Sequence, residues 1–384
     1  MPRDADVIIV GAGSVGLPAA MAMARAGLRV LVLDSRTGPG QGSHKTAIGG
    51  VRATHSDPAK IRLCARSLEI LSSWREVHGD DIEWRTGGYV FVSYREFEAR
   101  RLRALLPGQH RHGLAIEWLD APELLRVAPD LNPAGLLGGT YSPGDGHCSP
   151  LLAGVAMERQ ATRAGATFRF GEEVAELITD RGRAAGVRTT RGEYLAPIVV
   201  NAAGAWAGEL ANTHGESLPL VPEAHEAGIT EPLERFLDPL IVDLRPGPGT
   251  ANCYFFQLPT GQVIFCVTPN PPIIGTDVRE TSNFLPQVAR RLVSLAPRLA
   301  GARVRRTWRG AYPMTPDGSP IVGWSAAVPG LLLAVGMCGQ GFMLGPGLGE
   351  LLARVVGGNL ESEDVSILQR FSPNRRFAGQ EALR

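Results

Sequence analysis

The chain has 384 residues, 44% hydrophobic and 20% charged, with a formal net charge of +1. That length and balance describe a globular chain with a large core and room for two or three domains. They exclude a disordered or fibrous chain, and a near-zero charge leaves no electrostatic footprint for nucleic acid or anionic membrane. No stretch reaches about 18 uninterrupted apolar residues, so no membrane span is predicted. The apolar N-terminus carries Asp4 and Asp6 where a signal peptide would be positive. Five scattered cysteines form no CxxC and no metal-ligand spacing, so no metal site and a reducing, cytoplasmic setting are expected. Lys45 and Lys60 are the only lysines, which confines lysine-based chemistry to their surroundings.

Val7-Ile8-Ile9-Val10 reads as a strand buried on both faces and runs into Gly11-Ala12-Gly13-Ser14-Val15-Gly16. Leu17, Ala20, Met21 and Ala24 then recur at helical spacing, Gly27 closes the helix, and Val30 to Leu33 returns to the sheet, ending at Asp34. The glycines permit a tight turn and close approach to a pyrophosphate, whose charge a helix N-terminus stabilises. Asp34 is placed to accept hydrogen bonds from an adenosine ribose. Together these features predict a dinucleotide site without saying which dinucleotide. Pro18 is a local misfit and predicts a small distortion of the first helix.

Further along, 166–170, 174–178 and 186–190 predict short strands. Pro197 to Val200 leads into Asn201-Ala202-Ala203-Gly204-Ala205-Trp206, where small residues at a strand's carboxyl end admit a flat ligand. Alternation in Tyr254 to Leu258, a turn at Pro259-Thr260-Gly261 and the run Val263 to Val267 predict an antiparallel hairpin. It is grouped with Gly88 to Val92 in a second sheet. Leu331 to Gly336 predicts a buried strand and Cys338 to Phe342 a glycine turn. Leu348 to Val356 predicts a helix stopped by Gly357-Gly358. The fold class expected is α/β (α+β). A discontinuous Rossmann-like domain (1–86, 146–216 and 310–384) lies under a second, antiparallel-sheet domain (87–145 and 217–309).

In order and spacing these motifs resemble the D-amino acid oxidase/sarcosine oxidase superfamily of FAD enzymes. Closest in pattern are the beta subunits of heterotetrameric sarcosine oxidase and of dye-linked L-proline dehydrogenase. The carrying residues are Gly11 to Gly16 with Asp34, Gly40 to Ser43 leading to Gly49-Gly50-Val51-Arg52, Thr86 to Tyr89, Asn201 to Trp206, Trp308 to Asp317, and Gly336 to Phe342. The resemblance implies FAD and an antiparallel substrate domain. Gly11, Ala12, Gly13, Ser14, Val15, Gly16 and Asp34, with Ser35 and Arg36, would hold ADP, and Val174 would meet the adenine. Gly42, Ser43, Lys45, Thr46, Gly50, Val51, Gly339, Gln340, Gly341, Phe342 and Met343 would border the isoalloxazine, with Ala202, Ala203, Gly204, Trp206 and Gly310 completing the site. Backbone N–H groups at a helix N-terminus would stabilise the negative charge a reduced flavin carries.

Departures from the family pattern matter as well. Gly310 stands where monomeric sarcosine oxidases carry a cysteine tether, so non-covalent FAD is expected. Pro150 stands where the sarcosine oxidase beta subunit attaches FMN through histidine. Covalent FMN is therefore not expected, while a non-covalent second flavin at a subunit interface stays open. Gln340 and Met343 replace a histidine and a lysine of sarcosine oxidases, and no lysine follows Lys60. These absences favour a dehydrogenase passing electrons to a partner or dye over an oxidase.

Oxidising a C–N bond needs a neutral amine above the flavin and a clamp for the substrate carboxylate. Arg52 and Arg309 are the candidate clamps, each alternatively a structural ion pair. His225 and Tyr254 are the further catalytic candidates, with core histidine and sheet tyrosine as the structural alternatives. His147 and Cys148 read as loop residues. His44 and Lys45 are expected to line the FAD and bring positive charge to it. The function expected is oxidation of a secondary amine or imino acid, sarcosine- or proline-like, by hydride transfer. A D-amino acid or 2-hydroxy acid substrate, an electron-relaying subunit active only with a partner chain, and an NAD-linked enzyme are the alternatives.

Overall fold

The computed structural model describes residues 3–383. Alternation along Val7–Val10 builds the first layer contacts: Val7 and Ile9 face one side of a sheet and Ile8 and Val10 the other. This sheet has six strands in the order Ile321–Trp324, Leu331–Val335, Ile198–Asn201, Val7–Val10, Val30–Asp34 and Thr167–Phe170. All neighbours are parallel except the antiparallel edge strand Ile321–Trp324. On one face Val7, Ile9, Val32 and Leu332 share a core with the helices Gly16–Arg25, Pro150–Arg163 and Gly341–Gly357. On the other, Ile8, Leu31, Leu33 and Val199 pack against Leu177 and Val187 of a three-stranded antiparallel sheet.

The second sheet has eight strands, ordered Val304–Met314, Val221–Pro232, Gln262–Pro269, Thr250–Gln257, Leu240–Asp243, Tyr89–Ser93, Gly138–Ser142 and Glu117–Asp120. The hairpin read from Tyr254 to Val267 is present, with Phe255 opposite Phe265. One face buries Val90, Ile241, Phe255 and Phe265 under the helix Phe284–Leu295. The opposite face, carrying Tyr89, Phe91, Val242 and Tyr254, looks toward the parallel sheet across a cavity. The expected mixed α/β architecture is found, with a parallel sheet and a separate sheet that is antiparallel except where Leu240–Asp243 pairs parallel with Tyr89–Ser93.

Two elements differ from expectation. The helix assigned to Leu348–Val356 begins at Gly341 and runs to Gly357, with Gly358 left-handed at its C-terminus. Gly345, Pro346, Gly347 and Gly349 argue against a helix on propensity, yet they let it lie against its neighbours. A Cβ at Gly345 would overlap the Ser14 carbonyl oxygen, and one at Gly347 the Leu63 carbonyl oxygen. Pro18 sits third in the helix Gly16–Arg25, where its missing N–H falls within the first turn. The expected distortion is not seen: Leu17 and Ala19 keep their bonds to Gly13 O and Val15 O, and the helix continues to Arg25.

Candidate active site

The site starts from the glycine turn. Gly11 has φ +106°, and a Cβ there would overlap the Ala202 carbonyl oxygen, so only glycine brings the two strand ends together. A Cβ on Gly16 would strike Gly11 O, whereas one on Gly13 would meet nothing within 4 Å. Gly13 thus faces open space beside a helix N-terminus that no side chain caps. Asp34 closes the turn from the next strand: Oδ2 accepts the Ala12 N–H at 2.7 Å and Oδ1 the Arg36 N–H at 2.8 Å. Each oxygen keeps a lone pair for a ligand hydroxyl.

A cavity of about 710 Å³ runs from this turn to the antiparallel sheet. At one end lie Asp34, Ser35, Arg36, Glu173, Val174 and Trp206, with the Arg36 guanidinium 5.7 Å from the Trp206 ring centre. Gly11, Gly13, Ser14, Val15, Gly42, Ser43, Gly50, Ala202, Ala203 and Gly204 line its length, and Gly339, Gln340, Gly341, Phe342 and Met343 its middle. Arg52 and Tyr254 stand at the far end. The remaining expected residues do not line it. Ala12 and Gly16 shape the turn from behind, and Val51 is fully buried in the core. Thr46 bonds Ser43 O at 2.8 Å and fills the space a Cβ on Gly310 would need.

His44 lines the cavity but brings no positive charge. Its Nδ1 is 3.0 Å from Ser14 Oγ and its Nε2 2.6 Å from Pro150 O, and burial holds its pKa below the usual histidine value. Lys45 is exposed, its ammonium on Gln41 Oε1 at 3.3 Å. The expected cationic lining is absent because one group is desolvated and the other points to solvent.

At the far end Tyr254 Oη and Tyr312 Oη are 3.3 Å apart. The Tyr312 ring stacks on His225 at 3.9 Å and covers Gly339, where a Cβ would overlap it. His225 lies behind Tyr312 rather than on the cavity surface, its Nε2 3.5 Å from Glu223 Oε2. Burial lowers its pKa and keeps the ring neutral. Arg309 projects from the opposite face of the strand from Gly310. It donates to Arg279 O at 2.9 Å and stands 3.8 Å from Glu226 Oε1. Of the two candidate clamps, only Arg52 reaches the cavity. Asn252, Thr268, Tyr89 and Tyr312 also line this end and were not read from the sequence. Period-two alternation from Tyr254 points to Asn252, and hairpin register then places Thr268 opposite it.

The cavity fits FAD on its own features. Gly13 and Gly204 leave room where a side chain would intrude on a bound group, and Gln340 Oε1 is buried without a partner in its wall. Residues 6–355 match the family described as FAD dependent oxidoreductase. The chain belongs to that family. It is 29% identical to a glycine oxidase of Geobacillus kaustophilus, covering 91% of this chain and 92% of that one. It is 25% identical to the mitochondrial sarcosine dehydrogenase of Mus musculus, where the match covers 97% of this chain and 41% of that longer protein. Among solved structures, an L-proline dehydrogenase from P. horikoshii superposes with a TM-score of 0.90 at 27% identity, covering 98% of each chain. This is an FAD-dependent oxidoreductase enzyme. No helix among the described residues is long and apolar enough to cross a membrane.

Proposed function

We propose that this oxidoreductase oxidises a secondary amine or imino acid, sarcosine- or proline-like, by hydride transfer to non-covalently held FAD, working as a dehydrogenase. The observation that carries this reading is the far end of the cavity, where one arginine and a tyrosine pair face the Gly339–Met343 segment. Relatives named for sarcosine and proline support the substrate class, and one named for glycine supports an amino acid substrate more broadly. Bound FAD supplies the ring that accepts two electrons from the substrate carbon. The Gly11–Gly16 turn and Asp34 hold its ADP portion, and the residues from Gly339 to Met343 border its ring. Arg52 takes the substrate carboxylate, Tyr254 and Tyr312 shape the wall above the ring, and His225 positions Tyr312 by stacking. Burial keeps both phenols protonated well above the usual tyrosine value, so they donate hydrogen bonds rather than act as bases.

Gly310 in place of a tethering cysteine supports non-covalent FAD. Neither lysine lines the cavity: Lys45 lies on the surface, and Lys60 is fully buried with its ammonium on Gly318 O at 2.7 Å. This supports transfer of electrons to an acceptor other than oxygen. The parallel sheet would belong to the cofactor domain and the eight-stranded sheet to the substrate domain, with the strand Val304–Met314 running past the boundary expected at 309, and a hetero-oligomeric partner would supply the acceptor. Anaerobic titration of the FAD-loaded protein tests the reading. Sarcosine- or proline-like compounds should bleach the flavin, and faster bleaching by a 2-hydroxy acid or a primary D-amino acid would overturn it.

A further inference from the structure

Residues 379–383 follow the last helix, Ser362–Phe371, back into the molecule: Leu383 is fully buried and Glu381 is 5% exposed. Leu383 shares an apolar cluster with Tyr89, Phe91, Leu240 and Val242, four residues that wall the far end of the cavity. The Leu383 carbonyl accepts a hydrogen bond from Arg52 Nη2 at 2.6 Å. Arg52 Nη1 donates to Thr54 O and lies 3.3 Å from His55 Nδ1. The segment is fastened mainly around Ser56 and Lys60. Glu381 Oε1 accepts from Ser56 N at 2.8 Å and Ser56 Oγ at 2.6 Å, and Ala382 N donates to Ser56 Oγ at 2.9 Å. Lys60 stands 3.6 Å from the other Glu381 oxygen, and Arg101 donates to Ala382 O.

Among the described residues Arg52 is the single arginine at this end of the cavity, Arg36 belonging to the Trp206 end. Both of its terminal nitrogens donate to main-chain carbonyls, so a carboxylate approaching those same N–H groups competes with the carbonyls for them. Thr54 O lies two residues along the same strand exit and moves with Arg52, whereas Leu383 O belongs to a separate segment. A carboxylate is the stronger acceptor for guanidinium than a neutral carbonyl. We infer that the Leu383 carbonyl holds the place on Arg52 that a substrate carboxylate takes, and that residues 379–383 form a strap which a carboxylate-bearing substrate loosens. The inference rests on the amine and imino acid reading above and gives it a selector: a carboxylate displaces the strap and an uncharged amine does not. Competition at one guanidinium is reciprocal, so releasing the strap must tighten carboxylate binding by the factor with which carboxylate releases the strap.

The test uses FAD-loaded protein with propionate and, as an uncharged twin, propionamide. Binding is read from the flavin absorbance and strap release from amide hydrogen exchange over residues 379–383. Saturating propionate should speed exchange at Ala382 and Leu383 about tenfold, and a chain shortened to end at Ala378 should bind propionate about tenfold tighter. Propionamide should do neither. Ser56→Ala removes the hydroxyl between Glu381 and Ala382 without touching the core, and it should shift both readouts in the same direction if the shortened chain does not fold. The inference is overturned if propionate perturbs the flavin while exchange stays unchanged. It is equally overturned if propionate binds no tighter to the loosened variants, or perturbs no form of the protein. Should no amine bleach the flavin while propionate still frees the strap, the proposed reaction fails and the strap stands.

Discussion

Asp34 and Asp145 are carboxylates put to opposite uses by their surroundings. Asp34 is half-buried at the cavity and already organises two backbone N–H groups. Asp34→Ala should lower FAD affinity by about 10- to 100-fold, the loss of one or two hydrogen bonds to a charged group, measured by flavin fluorescence. Asp145 is buried; it accepts from Ala53 N and Thr54 Oγ1 at 3.0 Å each, and burial raises its pKa to about 6. Its folded pKa lies above the unfolded value, so the folded chain binds the extra proton and stability falls as pH rises from about 4 to about 6. Asp145→Asn should remove that decline. Denaturant midpoints for the two proteins should converge below pH 4 and separate progressively up to pH 6. The phenol pair gives a further check: a Tyr254→Phe, Tyr312→Phe double-mutant cycle should show about 0.5–1.5 kcal/mol of coupling in stability. Asp34 was legible in the sequence because a strand, a turn and a helix fix its place locally. Arg309 misled because the face of a strand is set by register with neighbours distant in the chain, and its motif neighbour Gly310 is the residue that faces the cofactor segment.

Glycines decide where the elements meet. The helix Gly341–Gly357 approaches the helix Gly16–Arg25 so closely that a Cβ on Gly349 would stand 2.6 Å from the Pro18 carbonyl carbon, and backbone cannot yield there as a flexible side chain does. Gly349→Ala should therefore cost about 1–3 kcal/mol of stability, read from denaturant unfolding. An alanine at the C-terminal Gly379, where a Cβ meets nothing within 4 Å, would be strained by its φ of +84° alone. Strands were legible wherever alternation or an apolar run was unbroken, as in Val7–Val10 and the Tyr254–Val267 hairpin. The first half of the helix from Gly341 was not, because its residues were chosen for close approach to a neighbour rather than for helix propensity.

At the scale of the whole molecule, the cavity is walled by residues of both large sheets, Val10 and Leu33 on one side and Tyr89 and Tyr254 on the other. FAD bound there stabilises only the state in which the sheets face each other, so its loss should be felt in both. With FAD at about 100 times its dissociation constant the folded state gains about 2.7 kcal/mol. Removal of FAD should lower the melting temperature and speed hydrogen exchange in Val7–Val10 and Thr250–Gln257 alike. Exchange that rises in the parallel sheet alone would show that the antiparallel sheet does not share the cofactor. The edge strand Val304–Met314 is stitched to the Ser43–Thr46 turn twice, through Ser43 Oγ on Ala311 O at 2.8 Å and Trp308 Nε1 on Thr46 O at 2.9 Å. A seam fastened at both stitches should act as the spine of a book: cutting either stitch, by Ser43→Ala or Trp308→Phe, should loosen the hold on FAD before it speeds the exchange of reactant for product.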